Sequence, residues 1–157
     1  MSRTENHRKL LTLLLLTGVS ALAGDTRRIV ISIPDHKLVL LESERVIRVY
    51  DVATGKPSTP SPAGEFHIVN RVQHPTWYGP GGVVRPGPSN PLGTRWMGLS
   101  AHGYGIHGTN VPQSIGKSAS HGCIRMRTRD VEELFELVPV GATVELVDQP
   151  YELFAKN

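Results

Sequence analysis

Cysteine is almost absent from this chain of 157 residues: there is one, Cys123. A single cysteine excludes an internal disulfide framework, so a buried core has to hold the fold. Aromatic residues are scarce at 6%, which leaves Val, Ile and Leu to fill the interior. No apolar run is long enough to cross a bilayer. The longest, Leu10 to Ala23, has 14 residues, against the roughly 20 that a spanning helix needs. Nor does one sign of charge dominate. Three of the 17 Lys/Arg and one of the 14 Asp/Glu fall in the first 23 residues, and the remainder carries a net charge of +1. That balance excludes a global basic field for nucleic acid or a membrane surface.

The first stretch is read as a processing segment. Arg3, Arg8 and Lys9 precede the apolar run, and Ala21-Leu22-Ala23 has the small-x-small form of a cleavage site. The expected organisation is a signal peptide over 1–23 and one domain over 24–157, with no membrane-integral part once the leader is cut. An uncleaved anchor is the alternative. The leader predicts an exported protein. Exported proteins usually pair their cysteines or lack them, so the lone thiol of SASHGCIRM needs a reason.

The remainder is rich in β pattern. RIVISI alternates Ile29, Ile31 and Ile33 against Arg28, Val30 and Ser32, which predicts a strand with one buried face. KLVLLE (37–42) and RVIRVYDVA (45–53) follow as strands, then a stiff loop over 54–64 broken by three prolines. EFHIVNRV (65–72) returns to alternation. From Gln73 to Gly93 no period is visible; such a stretch in a compact domain is usually functional or disordered, and Trp77 and Tyr78 within it suit a cleft wall or a pin to the core. Two short strands are expected within 95–110, with a turn near His102-Gly103, then a loop or helical turn over 111–119. One helix is clear: Asp130 and Glu133 suggest a capping box, Val131, Leu134, Phe135 and Val138 form an apolar stripe, and Pro139 and Gly141 end it. ATVELV (142–147) closes the chain as a strand. The class is mostly β with one late α-helix.

A catalytic thiol needs a base and something to orient that base. His121, two residues before Cys123, and His107, on a separate segment, are both candidates. Gly122 permits a tight turn that aims backbone N–H groups at an oxyanion. Arg125 suits a substrate carboxylate or a structural ion pair. A buried inert thiol, an intermolecular bridge, and a metal set of His107, His121 and Cys123 with His102 nearby are the competing readings.

The run IHGTNVPQSIGKSASHGCIRM resembles the signature of the L,D-transpeptidase catalytic domain, the YkuD family: an upstream His, a spacer, then Ser-His-Gly-Cys, an apolar residue and Arg. The opening strands, the threonine-proline loop before Gly64-Glu65-Phe66 and the RWMGLS stretch are similar to the family as well. The resemblance implies a β-sandwich-like fold and an address in the periplasm or cell envelope, with Cys123 as acylated nucleophile and His107 as base. The Gly108 carbonyl then orients the imidazole, His121 supports the site, and Gly122 helps build the oxyanion hole. Arg125, Ser120, Tyr104 and Trp77 are the expected substrate-side residues, with Trp96 shared between cleft and core. The implied substrates are peptidoglycan stem peptides as donor and acceptor, or a lysine of an envelope protein as acceptor. No metal or organic cofactor is implied. Acylation by carbapenems is. Hydrolysis through the same thioester, a sortase-like reaction and an inactive binding module are the alternatives.

Overall fold

The computed structural model describes residues 26–155; the leader expected over 1–23 lies outside them. Eleven strands and one helix are found among the described residues. The strands are β1 (Arg27–Ser32), β2 (Lys37–Glu42), β3 (Arg45–Gly55), β4 (Gly64–Gln73), β5 (Trp77–Gly79), β6 (Gly82–Val84), β7 (Arg95–Leu99), β8 (Gly105–His107), β9 (Ser118–Ser120), β10 (Ile124–Met126) and β11 (Thr143–Val147). The helix α1 is Thr128–Leu137.

The main sheet runs β10-β8-β7-β4-β11-β1-β2-β3-β9, and β10 also pairs with β3. The 11-residue β3 makes this closure. Its first part lies antiparallel to β2, while Val52 and Ala53 pair with Met126 and Arg125 of β10. A strand of that length passes from one half of the sheet to the other, and its β-branched residues tolerate the twist. The result is a mostly β, sandwich-like fold with one late helix, as the sequence predicts.

The core follows from strand alternation. Ile29, Ile31, Leu38 and Leu40 of β1 and β2 meet Met97, Ile106, Ile124 and Met126 from the other half, with Val131, Leu134 and Phe135 of α1 packed among them. β1 departs from the one-face expectation. Val30 is buried too, in a second cluster with Val39 and Leu41, because Tyr151 and Phe154 near the C-terminus fold over that side. Leu134 is 0% exposed, so Leu134→Ala should cost about 2–5 kcal/mol of stability, read as a lower urea midpoint at unchanged slope.

The helix corrects the capping expectation. It begins at Thr128 after an extended Arg127 that caps with no side-chain hydrogen bond, and Asp130 sits in the first turn. There its charge still suits the helix N-terminus, and Arg127 lies 3.8 Å away. At the other end Arg71 donates to the Phe135 carbonyl and Arg27 to the Leu137 carbonyl at 2.9 Å. Two arginines thus satisfy carbonyls that a helix end leaves open.

The irregular stretch after Gln73 contains the small hairpin of β5 and β6, with Tyr78 opposite Val83. Glycine and proline on both sides of two three-residue strands conceal it from any periodicity test.

Candidate active site

Strand register assembles the site. In the parallel pair of β8 and β10, His107 lies opposite Arg125. In the antiparallel pair of β7 and β8, Trp96 lies opposite His107, and across β4 Val72 lies opposite Trp96. Directly opposed residues share a face of a sheet, so Arg125, His107, Trp96 and Val72 form one row across four strands. Cys123 stands immediately before β10, at the end of the turn that leads into the strand. All five line one open cleft of about 1040 Å³.

His107 is 5% exposed. Its Nδ1 lies 2.6 Å from the Gly108 carbonyl oxygen. A carbonyl only accepts, so Nδ1 donates and Nε2 keeps its lone pair as the basic nitrogen. Trp96 stacks on the imidazole, with ring centroids 5.7 Å apart and planes at 21°, and its Nε1 donates to Asn70 Oδ1 at 3.0 Å. The tryptophan that suits cleft or core equally well in the sequence is thus cleft floor.

Burial sets the charge states. It pushes the His107 imidazole down to about 4, against the Gly108 hydrogen bond and with help from the Arg125 charge. It pushes the Cys123 thiol up, while a backbone hydrogen bond from Gly105 and the Arg125 charge pull it back in part. At neutral pH the cleft therefore holds a neutral thiol and a neutral imidazole. Cys123 is partly exposed, and its Sγ donates to the Gly103 carbonyl at 3.6 Å.

The turn before the thiol is fastened from two sides. Ser120 Oγ accepts from Gly122 N–H at 3.0 Å and donates to the Cys123 carbonyl at 2.5 Å. Ser61 Oγ, from the proline-rich loop, accepts from Gly55 N–H and donates to the Gly122 carbonyl, both at 2.8 Å. Gly122 itself has φ +118, and a methyl there would sit 2.6 Å from the Tyr104 ring.

These contacts revise several expected roles. Ser120 borders the cleft, but it is 1% exposed and its hydroxyl is taken up in fastening the turn. The Gly122 N–H is engaged by Ser120, so Gly122 contributes its backbone conformation and not that donor. Tyr104 packs against Gly122 and the core instead of lining the cleft. Trp77 does line it, and His121 is exposed within it. Arg125 lines the cleft as expected. Among the described residues no ion pair involves it, and no Asp or Glu lines the cleft. The cleft therefore presents an uncompensated cation to whatever enters. His102 is exposed and outside the lining. No three potential metal ligands are grouped among the described residues.

The residues missed from sequence are Ser61 and those of the cleft wall. Pro75, Thr76, Pro91 and Leu92 line the cleft, and only their place in an aperiodic stretch hinted at it.

The family model for the L,D-transpeptidase catalytic domain, YkuD, matches residues 26–146. YkuD of Bacillus licheniformis, named as an L,D-transpeptidase, is 45% identical over 119 residues, covering 76% of this chain. The chain spans 64% of that relative's length. YqjB of Bacillus subtilis, also named as an L,D-transpeptidase, is 39% identical over 136 residues, covering 83% of this chain and 76% of the relative. Among solved structures, the Enterococcus faecium L,D-transpeptidase superposes with a TM-score of 0.67 at 26% identity, over 78% of this chain and 50% of that one. LdtMt1 in complex with imipenem gives 0.68 at 24% identity, over 79% and 60%, and supports the fold alone.

Proposed function

Since the chain belongs to the L,D-transpeptidase catalytic-domain (YkuD) family, we propose that it is a cysteine acyltransferase acting on peptidoglycan stem peptides at the cell envelope. The carrying observation is that Cys123, a tautomer-fixed His107 and Arg125, which has no ion pair among the described residues, line one cleft without acidic lining.

The chemistry follows from those positions. The Cys123 Sγ attacks the carbonyl carbon at the L-centre of residue 3 of a tetrapeptide stem. His107 Nε2 takes the thiol proton as the carbon–sulfur bond forms. The oxyanion falls to the backbone N–H of Cys123, since the Gly122 N–H is held by Ser120. Collapse breaks the peptide bond, the imidazole returns the proton to the leaving amine, and D-Ala departs. The thioester is then attacked by an amine, which loses its proton to His107 Nε2, and Cys123 leaves as thiol. A second stem as acceptor gives a 3→3 cross-link, a lysine of an envelope protein gives anchoring, and water gives a carboxypeptidase. Arg125 attracts donors that carry carboxylates. The leader over 1–23 belongs to this reading as the export signal.

Incubation with a disaccharide-tetrapeptide, followed by intact-protein and product mass spectrometry, tests it. The expected result is D-Ala release, an acyl adduct on Cys123 and a cross-linked dimer. Turnover with no adduct on Cys123 overturns the mechanism, and no D-Ala release from any tetrapeptide overturns the substrate.

A further inference from the structure

One buried side chain ties the cleft wall together. Asn90 is 0% exposed. Its Nδ2 donates to the carbonyls of Pro75 at 2.8 Å, Val84 at 3.1 Å and Arg85 at 3.2 Å. Its Oδ1 accepts from Leu92 N–H at 2.8 Å. The amide thus joins the segment entering the β5–β6 hairpin, the segment leaving it, and the return toward β7. Pro75, Pro91 and Leu92 on these segments line the cleft. An amide with both ends engaged in a buried setting is costly to remove, because its backbone partners are left without bonds.

The return strand then meets the imidazole's support. Gly93 has φ +64, and a methyl there would stand 2.7 Å from Thr109 N and 2.8 Å from Gly108 Cα. In the reverse direction a methyl on Gly108 would stand 3.1 Å from Gly93 Cα and from the Leu92 carbonyl oxygen. The two glycines are back to back, and Gly108 supplies the carbonyl that holds His107 Nδ1.

We propose that Asn90 is a positioning residue for the Cys123–His107 pair, acting through Leu92 and Gly93 on Gly108, and that it sets the height of the Pro75–Leu92 wall over the same cleft. This deepens the acyltransferase reading and rests on it for substrate, but the placement of the imidazole is measurable without one. The groups set against His107 are Arg125 of β10 and Trp96 of β7, with Cys123 and His121 lining the same cleft. None of them is touched by a change at Asn90.

The test is the pH profile of Cys123 alkylation by iodoacetamide in the full chain, for wild type, Asn90→Ala, Gly93→Ala, His107→Ala and Val83→Ala. Val83 is exposed on the same hairpin and does not line the cleft. The expected result is that Asn90→Ala alkylates at least fivefold more slowly at pH 7. Its profile should move toward that of His107→Ala, while Val83→Ala follows wild type. Gly93→Ala, which adds one methyl, should show the same shift and replaces Asn90→Ala if the latter does not fold. A wild-type profile in the folded Asn90→Ala protein, or in Gly93→Ala where it stands in, overturns the proposal. If wild type reacts as expected here but releases no D-Ala from muropeptides, the substrate reading fails and the positioning role stands.

Discussion

The His107→Ala protein is expected to form its acyl adduct about 10²–10⁴-fold more slowly than wild type, and Cys123→Ala is expected to form none. The imidazole is a base held in the cleft by strand register and by a carbonyl on Nδ1. If His121 were the base, His121→Ala would be the slower of the two histidine variants, and intact-protein mass spectrometry of adduct formation separates the cases. The pH dependence sharpens the test. With the imidazole held down to about 4, acylation should stay level from neutral pH down to about 5 and fall as pH drops through 4, where Nε2 takes a proton and stops accepting. The raised thiol means that no thiolate limb appears near neutrality. An acid limb near 6.5, the ordinary value for histidine, would show that the imidazole is not buried as described. Stability carries the same signature. The unfolded chain protonates His107 near its ordinary value and the native state resists until about 4, so this contribution is complete above 6.5 and is lost as pH falls from 6.5 to 4. The shift corresponds to about 3 kcal/mol. The difference in urea stability between pH 7 and pH 4 should shrink by roughly that amount in His107→Ala.

The elements that were legible in the sequence are those with a repeated local signal. β1 and β4 show as alternation, β2, β3 and β11 as short runs rich in apolar and β-branched residues, and α1 as a stripe. The chemistry was legible for a different reason: Ser-His-Gly-Cys and its upstream His are contiguous or nearly so. What failed to show depends on contacts between distant segments. Nothing local in Val30 says that Tyr151 and Phe154 will cover it. Ser61 lies sixty residues from the turn it fastens, and a serine among prolines reads as an ordinary loop residue. Asn90 reads the same way, although it spans three segments. Asp130 was misplaced at the cap because side-chain chemistry alone favours it, whereas the end of β10 delivers Arg127 in extended geometry and starts the helix earlier. Nothing local in Tyr104 tells cleft from core either; the missing side chain at Gly122 is the space its ring uses.

That last contact carries the second large effect. Gly122→Ala should lower acylation more than 10²-fold, a loss typical of misplacing a reacting group by about 1 Å. Two separate costs act on the added methyl. The first is conformational: φ +118 is a region that L side chains rarely adopt, worth about 1–3 kcal/mol of strain. The second is steric, the 2.6 Å approach to Tyr104 Cε1. The turn has little room to relax, because Gly122 N–H is held by Ser120 and its carbonyl by Ser61. Relief must come from breaking one of those bonds, and either route moves Cys123 relative to His107. The double variant Gly122→Ala with Tyr104→Ala separates the costs, since it removes the ring but leaves the backbone strained. Partial recovery of the acylation rate in the double variant would assign the loss to the ring contact. No recovery would assign it to φ. Wild-type acylation in Gly122→Ala alone would show that the turn does not hold the nucleophile in the described geometry.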